Sequence, residues 1–378
     1  MDTLKKINVM HLIATNFYGG PEKQIVTHLK RLNNNIFKPV LASYVEKDIN
    51  NEILEKAANE DIHACPIPMA NAIDFRALLK LEHLVKTESI DLLCAHGYKS
   101  IIMGWYVAKK LNIPFLVFSR GYTSEDIKVS FYEWLERKVL HKVTGIIYVS
   151  EGQKNKLHSL GVYGQNEWVV HNAIEIPEYE EKKVKIIKKN IYKELSIPEN
   201  NKLVVTAGRL SPEKGHHYLI DAISKTNHEL ENITFVICGD GVNRRRLQDQ
   251  AKKLHVDNKC MFVGFRRDMD KIYQAMDLFI LPSLTEGLPN VILESFSYMK
   301  PVIATKVGGV PELVHNNKNG ILIDAANTDQ LADAIINCLK SDERMKALGE
   351  AGLRTVQENF TFAKQTMALE QIYKQVLH

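Results

Sequence analysis

The feature that most constrains this 378-residue chain is a β/α alternation that runs, stops and starts again. "INVMHLIA" (7–14) reads as a buried strand and "PEKQIVTHLKRL" (21–32) as a helix with Ile25, Leu29 and Leu32 on one face. "KPVLASYV", a helix through Ile53, and the short apolar runs "DLLCAH", "FLVFSR" and "GIIYVS" continue the pattern. The stretch 171–190 breaks it with Pro177 and two charge runs, the signature of a linker leading into a solvated helix. The alternation then resumes with "KLVVTAGRL", "ITFVICGDG", "CMFVGF", "DLFILPS" and "PVIAT". Mostly apolar strands alternating with helices demand parallel sheets covered on both faces. The length suits two such domains. We place the boundaries at 1–171 and 172–359. The amphipathic segment 360–378 then packs either on its own domain or back on the first one.

Composition narrows the class. Net charge is only +4, too weak to argue for nucleic acid but suited to an anionic ligand or to peripheral contact with an anionic membrane. Five scattered cysteines, none in a C-x-x-C, argue against a disulfide framework or a zinc site. The start, "MDTLKKINVMHLIATNF", has no signal-peptide pattern, and no apolar run is long enough to span a bilayer. Cytoplasmic residence, with peripheral attachment to the inner membrane face as a variant, is the expectation.

In open α/β sheets ligands bind outside the carboxyl ends of the strands. In "TAGRLSPEKG", Arg209 and Lys214 follow such an end on a Gly-containing turn before a helix, which suits an anion. It also fits an ordinary charged loop. In "SLTEGLPNVILESF", Glu286 lies in the loop after a buried strand, and Pro289 and Asn290 suit a helix start. Glu294 lies one turn in, and helical side chains tilt toward the N-terminus, so both carboxylates can face one volume. Carboxylates accept from paired hydroxyls, and the free N–H groups of a helix start suit phosphate. A sugar and a phosphate could be gripped together there. The alternative is two unrelated carboxylates, one of them favoured by the helix dipole.

The ordered set "GRLSPEKG", "GDGVNRRRL", "VGF", "LPSLTEGLPNVILESFSYMKPVIATKVGGVPELV" and "NGILI" resembles the GT-B glycosyltransferases, and most of all the retaining family 4 with its E-x7-E motif. The glycine pair in "NFYGGPEKQIVTHL" and the terminal "QIYKQVL" fit as well. The resemblance implies an α/β GT-B fold: two Rossmann-like, doubly wound domains facing each other across a cleft. It implies that Arg209 and Lys214 hold the diphosphate of a nucleotide-sugar donor, UDP-linked in preference to GDP-linked. Glu286 would bind donor-sugar hydroxyls and Glu294 the ribose. Gly287, Leu288, Pro289 and Asn290 would line sugar and phosphate, and the base would sit near Val263, Phe265 and Arg266. Gly19 and Gly20 would let the first domain's loop approach closely. The reaction implied is retaining transfer to a glycan or lipid-linked acceptor of a surface polysaccharide or lipopolysaccharide, without cofactor or metal.

The match departs from the family at Arg120, where many members carry histidine. Arg120 would contact donor phosphate or a charged acceptor, or serve only the strand end. His96 ends another strand and would orient the acceptor or be structural. The D-x-D string of Asp268 and Asp270 opens an amphipathic helix, and Asp268 as N-cap explains it better than a metal. "DIKVSFYEWLERKVLHKV" mixes aromatic and basic residues, as membrane-surface helices do, but also as core-facing helices with a solvated side do. Two rival readings remain: a nucleotide-sugar epimerase on the same fold, and a sugar-nucleotide-binding partner subunit without activity.

Overall fold

The structure is a computed structural model and describes residues 5–46, 49–70, 74, 76–121, 127–226 and 229–377. The chain divides into two compact units: residues 1–173 with 362–378, and residues 174–361.

The first unit is built on a seven-stranded sheet. Its strands are β1 (Ile7–Ile13), β2 (Phe37–Glu46), β3 (His63–Met69), β4 (Leu92–His96), β5 (Phe115–Ser119), β6 (Gly145–Tyr148) and β7 (Glu167–Val169). Their spatial order is β3-β2-β1-β4-β5-β6-β7, and every pairing is parallel. Register alternates the strand side chains between two cores. Met10 and Leu12 of β1 enter one with Val40 and Leu93, while Val9 and Ile13 enter the other with Leu41 and Cys94. A strand buried on both faces must be apolar along its whole length, which is why these segments read as runs rather than alternations.

The C-terminal helix Phe362–Leu377 belongs to this unit. Leu369, Ile372 and Tyr373 fill the second core beside Ile25 and Leu29 of the helix Gly20–Arg31. Gln365 donates to the His171 carbonyl at 2.8 Å, and Arg31 lies over the Phe362 ring.

The second unit carries β8 (Lys202–Ala207), β9 (Ile233–Cys238), β10 (Cys260–Gly264), β11 (Leu278–Leu281), β12 (Val302–Thr305) and β13 (Ile321–Ile323). Their order is β10-β9-β8-β11-β12-β13, again all parallel. Each sheet reverses its winding once, between β1 and β4 in the first unit and between β8 and β11 in the second. The crevice outside the carboxyl ends at such a reversal is where open α/β sheets bind ligands. Both sheets are therefore Rossmann-like.

Candidate functional site

In the second unit the reversal brings two loops together. One leaves β8 through Gly208 and Arg209, makes a short 3-10 turn over Pro212–Lys214, and enters the helix His216–Thr226 at Gly215. Gly215 has φ +65°, and a Cβ there would lie 2.1 Å from the Pro282 carbonyl oxygen at the end of β11. Only glycine lets the two loops touch.

The other loop leaves β11 and ends at Pro289, the N-cap of the helix Asn290–Ser297. Glu286 sits in it with its side chain almost fully buried, and its Oε1 accepts from Lys214 Nζ and Ser283 Oγ, both at 2.7 Å. A third loop presses on the same place. Gly308 has φ +50°, a Cβ on it would meet the Glu286 carbonyl oxygen at 1.8 Å, and Gly309 N–H donates to the Gly287 carbonyl at 2.9 Å. The Lys214–Glu286 pair is thus held by backbone on both sides.

Glu294 lies one turn into the same helix and accepts from the Tyr273 hydroxyl at 2.6 Å through Oε2. Tyr273 is buried, and burial together with the neighbouring Glu294 carboxylate pushes its hydroxyl well above the usual range, so it remains a donor. The donated proton orients one carboxylate oxygen. Asn290, the first helical residue, has a buried Oδ1 with no hydrogen-bond partner. That is a polar group in want of a ligand or water.

Arg209 lies at the loop's outer side, half-exposed, with Glu213 3.7 Å from its guanidinium. Next to Lys214, His216 is buried. Burial and the Lys214 charge hold it down to about 4, so it is neutral.

Arg266, expected near the base, is engaged by neighbouring carboxylates. Its guanidinium forks onto both oxygens of Asp268 at 2.8 Å and pairs with Glu194, and these carboxylates raise it further above its already high value. The side chain is engaged within the fold, and Phe265 beside it is exposed. Asp268 does occupy the N-cap position of the helix Met269–Ala275, but its side chain caps nothing because Arg266 takes both oxygens. Among the described residues, the one cluster with metal-ligand spacing is His63, Cys65 and Glu88, at the amino end of β3, and it contains neither Asp268 nor Asp270.

In the first unit Gly19 caps the helix that Gly20 begins, and its N–H donates to Glu22 Oε2 at 3.0 Å. His96 ends β4 and is buried, with its Nε2 2.9 Å from His11 Nδ1. Arg120 follows β5. Its guanidinium lies over the Phe118 ring, its Nη1 is 3.5 Å from Asn172 Oδ1, and its buried Nε has no partner. Burial lowers it to about 10, so the charge persists at neutral pH.

Comparison with known proteins follows this division. The family model for Glycosyltransferase Family 4 matches residues 18–177, and that for Glycosyl transferases group 1 matches residues 187–355. The chain belongs to the GT-B glycosyltransferases of the family 4 type. A relative from Escherichia coli, the UDP-Gal:alpha-D-GlcNAc-diphosphoundecaprenol alpha-1,3-galactosyltransferase, is 27% identical over 311 residues, 79% of each chain. The N-acetyl-alpha-D-glucosaminyl L-malate synthase of Bacillus anthracis is 25% identical over 308 residues, 80% of each. Among solved structures, Anabaena HepE in complex with UDP-glucose matches with a TM-score of 0.84 at 20% identity, covering 98% of this chain and 100% of that one.

The sequence singled out Arg209, Lys214, Glu286 and Glu294 in this glycosyltransferase, and the fold gathers them at the β8/β11 reversal. It gave no reason to single out Tyr273, Ser283 or Gly308. "KVGGVPELV" entered only as part of the resemblance, and its glycine pair was the available signal for a close backbone approach. His11, His28 and Tyr373 were missed as well. They lie far apart in sequence, and each reads as an ordinary apolar-face residue.

Proposed function

We propose that the second unit binds a nucleoside-diphosphate sugar, UDP-linked in preference to GDP-linked, and that the enzyme transfers its sugar with retention to a glycan or lipid-linked acceptor in surface polysaccharide or lipopolysaccharide synthesis. The observation that carries this is the Lys214–Glu286 pair at the winding reversal, beside the start of the helix that carries Glu294 one turn in. A cation and helix N–H groups suit a diphosphate, and oriented carboxylates suit sugar and ribose hydroxyls. The relatives support the donor and acceptor classes: UDP-galactose and a diphosphoundecaprenol acceptor for the Escherichia coli enzyme, UDP-glucose for HepE.

In this reading Lys214 and Arg209 face the departing diphosphate, where negative charge develops as the anomeric C–O bond breaks. Glu286 accepts from donor-sugar hydroxyls, and its bonds to Lys214 and Ser283 keep it from turning away. The acceptor hydroxyl attacks from the face the phosphate leaves, and the phosphate takes its proton, so no protein nucleophile is required. The two cations supply the charge that a metal supplies elsewhere, and Asp268 is engaged by Arg266. Arg120 and His96 are the first unit's contacts to the acceptor. No helix among the described residues is long and apolar enough to cross a membrane. Peripheral contact is assigned to the helix Ile127–Leu140, where Trp134 is half-exposed with Lys138 over its ring, and co-sedimentation with anionic vesicles, lost in Trp134→Ala, tests it.

The deciding experiment is thermal melting with UDP, GDP and ADP and their sugar conjugates. A ligand at a hundredfold its Kd that binds only the folded state adds about 2.7 kcal/mol. Stabilisation by UDP compounds that Glu294→Ala weakens supports the reading, and no response to any nucleotide overturns it. Transfer by the wild type, lost in Glu286→Ala, separates a transferase from a binding subunit. A changed sugar released without acceptor would mark an epimerase.

A further inference from the structure

At the amino end of the first sheet, three groups that can bind a metal converge on one point. His63 Nε2 lies 3.3 Å from Cys65 Sγ and 3.1 Å from Glu88 Oε1, and the three ligand atoms all fall within 4.8 Å of one another.

The fold sets each of them. Side chains two apart on a strand share a face. His63 and Cys65 stand on one face of the edge strand β3, and the same face continues into the first core through Ile67 and Met69. Their backbone is fixed by β2, with His63 beside Val40 and Cys65 beside Ala42. Glu88 follows the helix Arg76–Thr87. Its N–H donates to the Leu84 carbonyl at 2.9 Å, and Asn8 Nδ2 donates to its own carbonyl at 3.1 Å. The backbones that carry the three ligands are therefore in place before any ion arrives. Lys38 Nζ lies 3.6 Å from Glu88 Oε2, which leaves Oε1 to face His63.

An ion pair does not account for the trio. His63 and Glu88 alone would make one, with His63 half-exposed. Here a buried thiol adjoins the pair, and a single imidazole nitrogen faces sulfur and carboxylate together. One N–H cannot point along both directions, whereas a cation at the centre is approached by all three groups. Around an ion with zinc-like bonds of about 2.0–2.3 Å, tetrahedral edges are about 3.4–3.6 Å, a few tenths of an ångström beyond the separations found. The half-exposed His63 side chain has room to swing out by that much, and its solvent side leaves a fourth position for water.

The donor set chooses the ion. Thiolate and imidazole favour borderline-soft divalent ions over Mg²⁺ and Ca²⁺, which take oxygen ligands. Thiolate and carboxylate together offset the ion's two charges. Binding replaces the S–H bond with a sulfur–metal bond and releases the proton to solvent, while the imidazole keeps its hydrogen on Nδ1.

We propose that His63, Cys65 and Glu88 form a binding site for one divalent cation of the Zn²⁺ class, which staples the edge strand β3 to the end of the helix Arg76–Thr87. The site lies at the end of β3 away from the carboxyl ends of the sheet, and the seven-residue strand is about 20 Å long. It is independent of the donor reading and of the metal-free transfer proposed there.

The test is cobalt titration of the full-length protein, reduced, treated with EDTA and freed of it. One equivalent is expected to bind at micromolar concentration or below, with a thiolate-to-cobalt charge-transfer band in the near ultraviolet and the strong visible absorption of a four-coordinate ion. Zn²⁺ is expected to remove both bands and Mg²⁺ to leave them. Cys65→Ser should abolish the charge-transfer band, and His63→Gln and Glu88→Gln should each weaken binding at least tenfold. A charge-transfer band that survives in Cys65→Ser, or binding only at millimolar cobalt, overturns the site and leaves an ion pair beside a buried thiol. His63 is half-exposed, so His63→Gln keeps the fold whatever becomes of Cys65→Ser. Zn²⁺ should raise the melting temperature of the wild type by several degrees and that of His63→Gln by much less; equal shifts overturn the site as well. Neither readout involves a nucleotide, so this inference and the donor reading fail separately.

Discussion

Replacing Lys214 with methionine tests the proposed donor site, because the proposed function gives this ammonium a second job besides its bond to Glu286. Its Nζ is 2.7 Å from a Glu286 carboxylate whose side chain is only 8% exposed. Removing a donor from a charged group costs about 1.5–3 kcal/mol. The lysine side chain is 23% exposed, so water can partly replace it and the lower figure applies. A unit of this size shifts its melting point by roughly 2–4 °C per kcal/mol, so Lys214→Met should melt a few degrees low. The catalytic loss is separate. One preorganised group facing developing charge is worth ~10²–10³ in kcat. The double variant Lys214→Met/Glu286→Gln removes the unpaired charge while keeping an acceptor for Ser283 Oγ. It should recover most of the lost stability and none of the activity. Nucleotide release and thermal melting on the same preparations read both effects. A folded Lys214→Met enzyme within tenfold of wild-type kcat would refute the diphosphate role.

Four shorter predictions follow from other contacts. Gly308→Ala forces a Cβ into the Glu286 carbonyl at positive φ, and should cut donor binding at least tenfold in a nucleotide titration while the first unit stays folded. Tyr273→Phe removes the proton that orients Glu294, and should weaken UDP binding several-fold, as read by calorimetry; unchanged affinity would detach Glu294 from the ribose. Stability should fall on acidification. His28 and His216 are held at about 3 and about 4 in the fold but titrate near 6.5 when unfolded, so the unfolded state binds more protons as pH drops below 6.5. Each contributes up to about 1.4 kcal/mol per pH unit in that window, and His28→Gln should flatten the urea-derived stability profile between pH 6.5 and 4. Transfer should survive excess EDTA; activity lost there and restored by Mg²⁺ or Mn²⁺ would return Asp268 and Asp270 to the discussion as ligands.

Legibility differed by kind of residue. Strand ends are visible in the sequence because a buried parallel strand is apolar until it stops. The first basic residue at or past the end of such a strand therefore marks the carboxyl end of the sheet, as it does at Arg209, His96 and Arg120. Glu286 and Glu294 were visible because Pro289 marks a helix start between them, with one carboxylate in the loop before it and the other a turn inside. The N-cap reading of Asp268 was right in position and wrong in bonding. A local rule cannot know that Arg266 lies two residues back with its fork aimed at the same oxygens.

What the sequence determined by itself is the periodic part: two β/α runs, their break over residues 171–190, the loops that carry charge, and the family those loops resemble. These depend on neighbours within one element, and periodicity encodes them. The tertiary structure alone decided which distant groups meet. Lys214 reaches Glu286 only because β8 and β11 are adjacent across a winding reversal, and Gly308 supports them from a loop that follows a third strand. Tyr373 reaches His11 and His28 across more than three hundred residues because the C-terminal helix returns to the first unit. No pattern along the chain records such a meeting. A hydrogen bond is specified by distance in space, and the choice of strand neighbours sets that distance only once the sheets have formed.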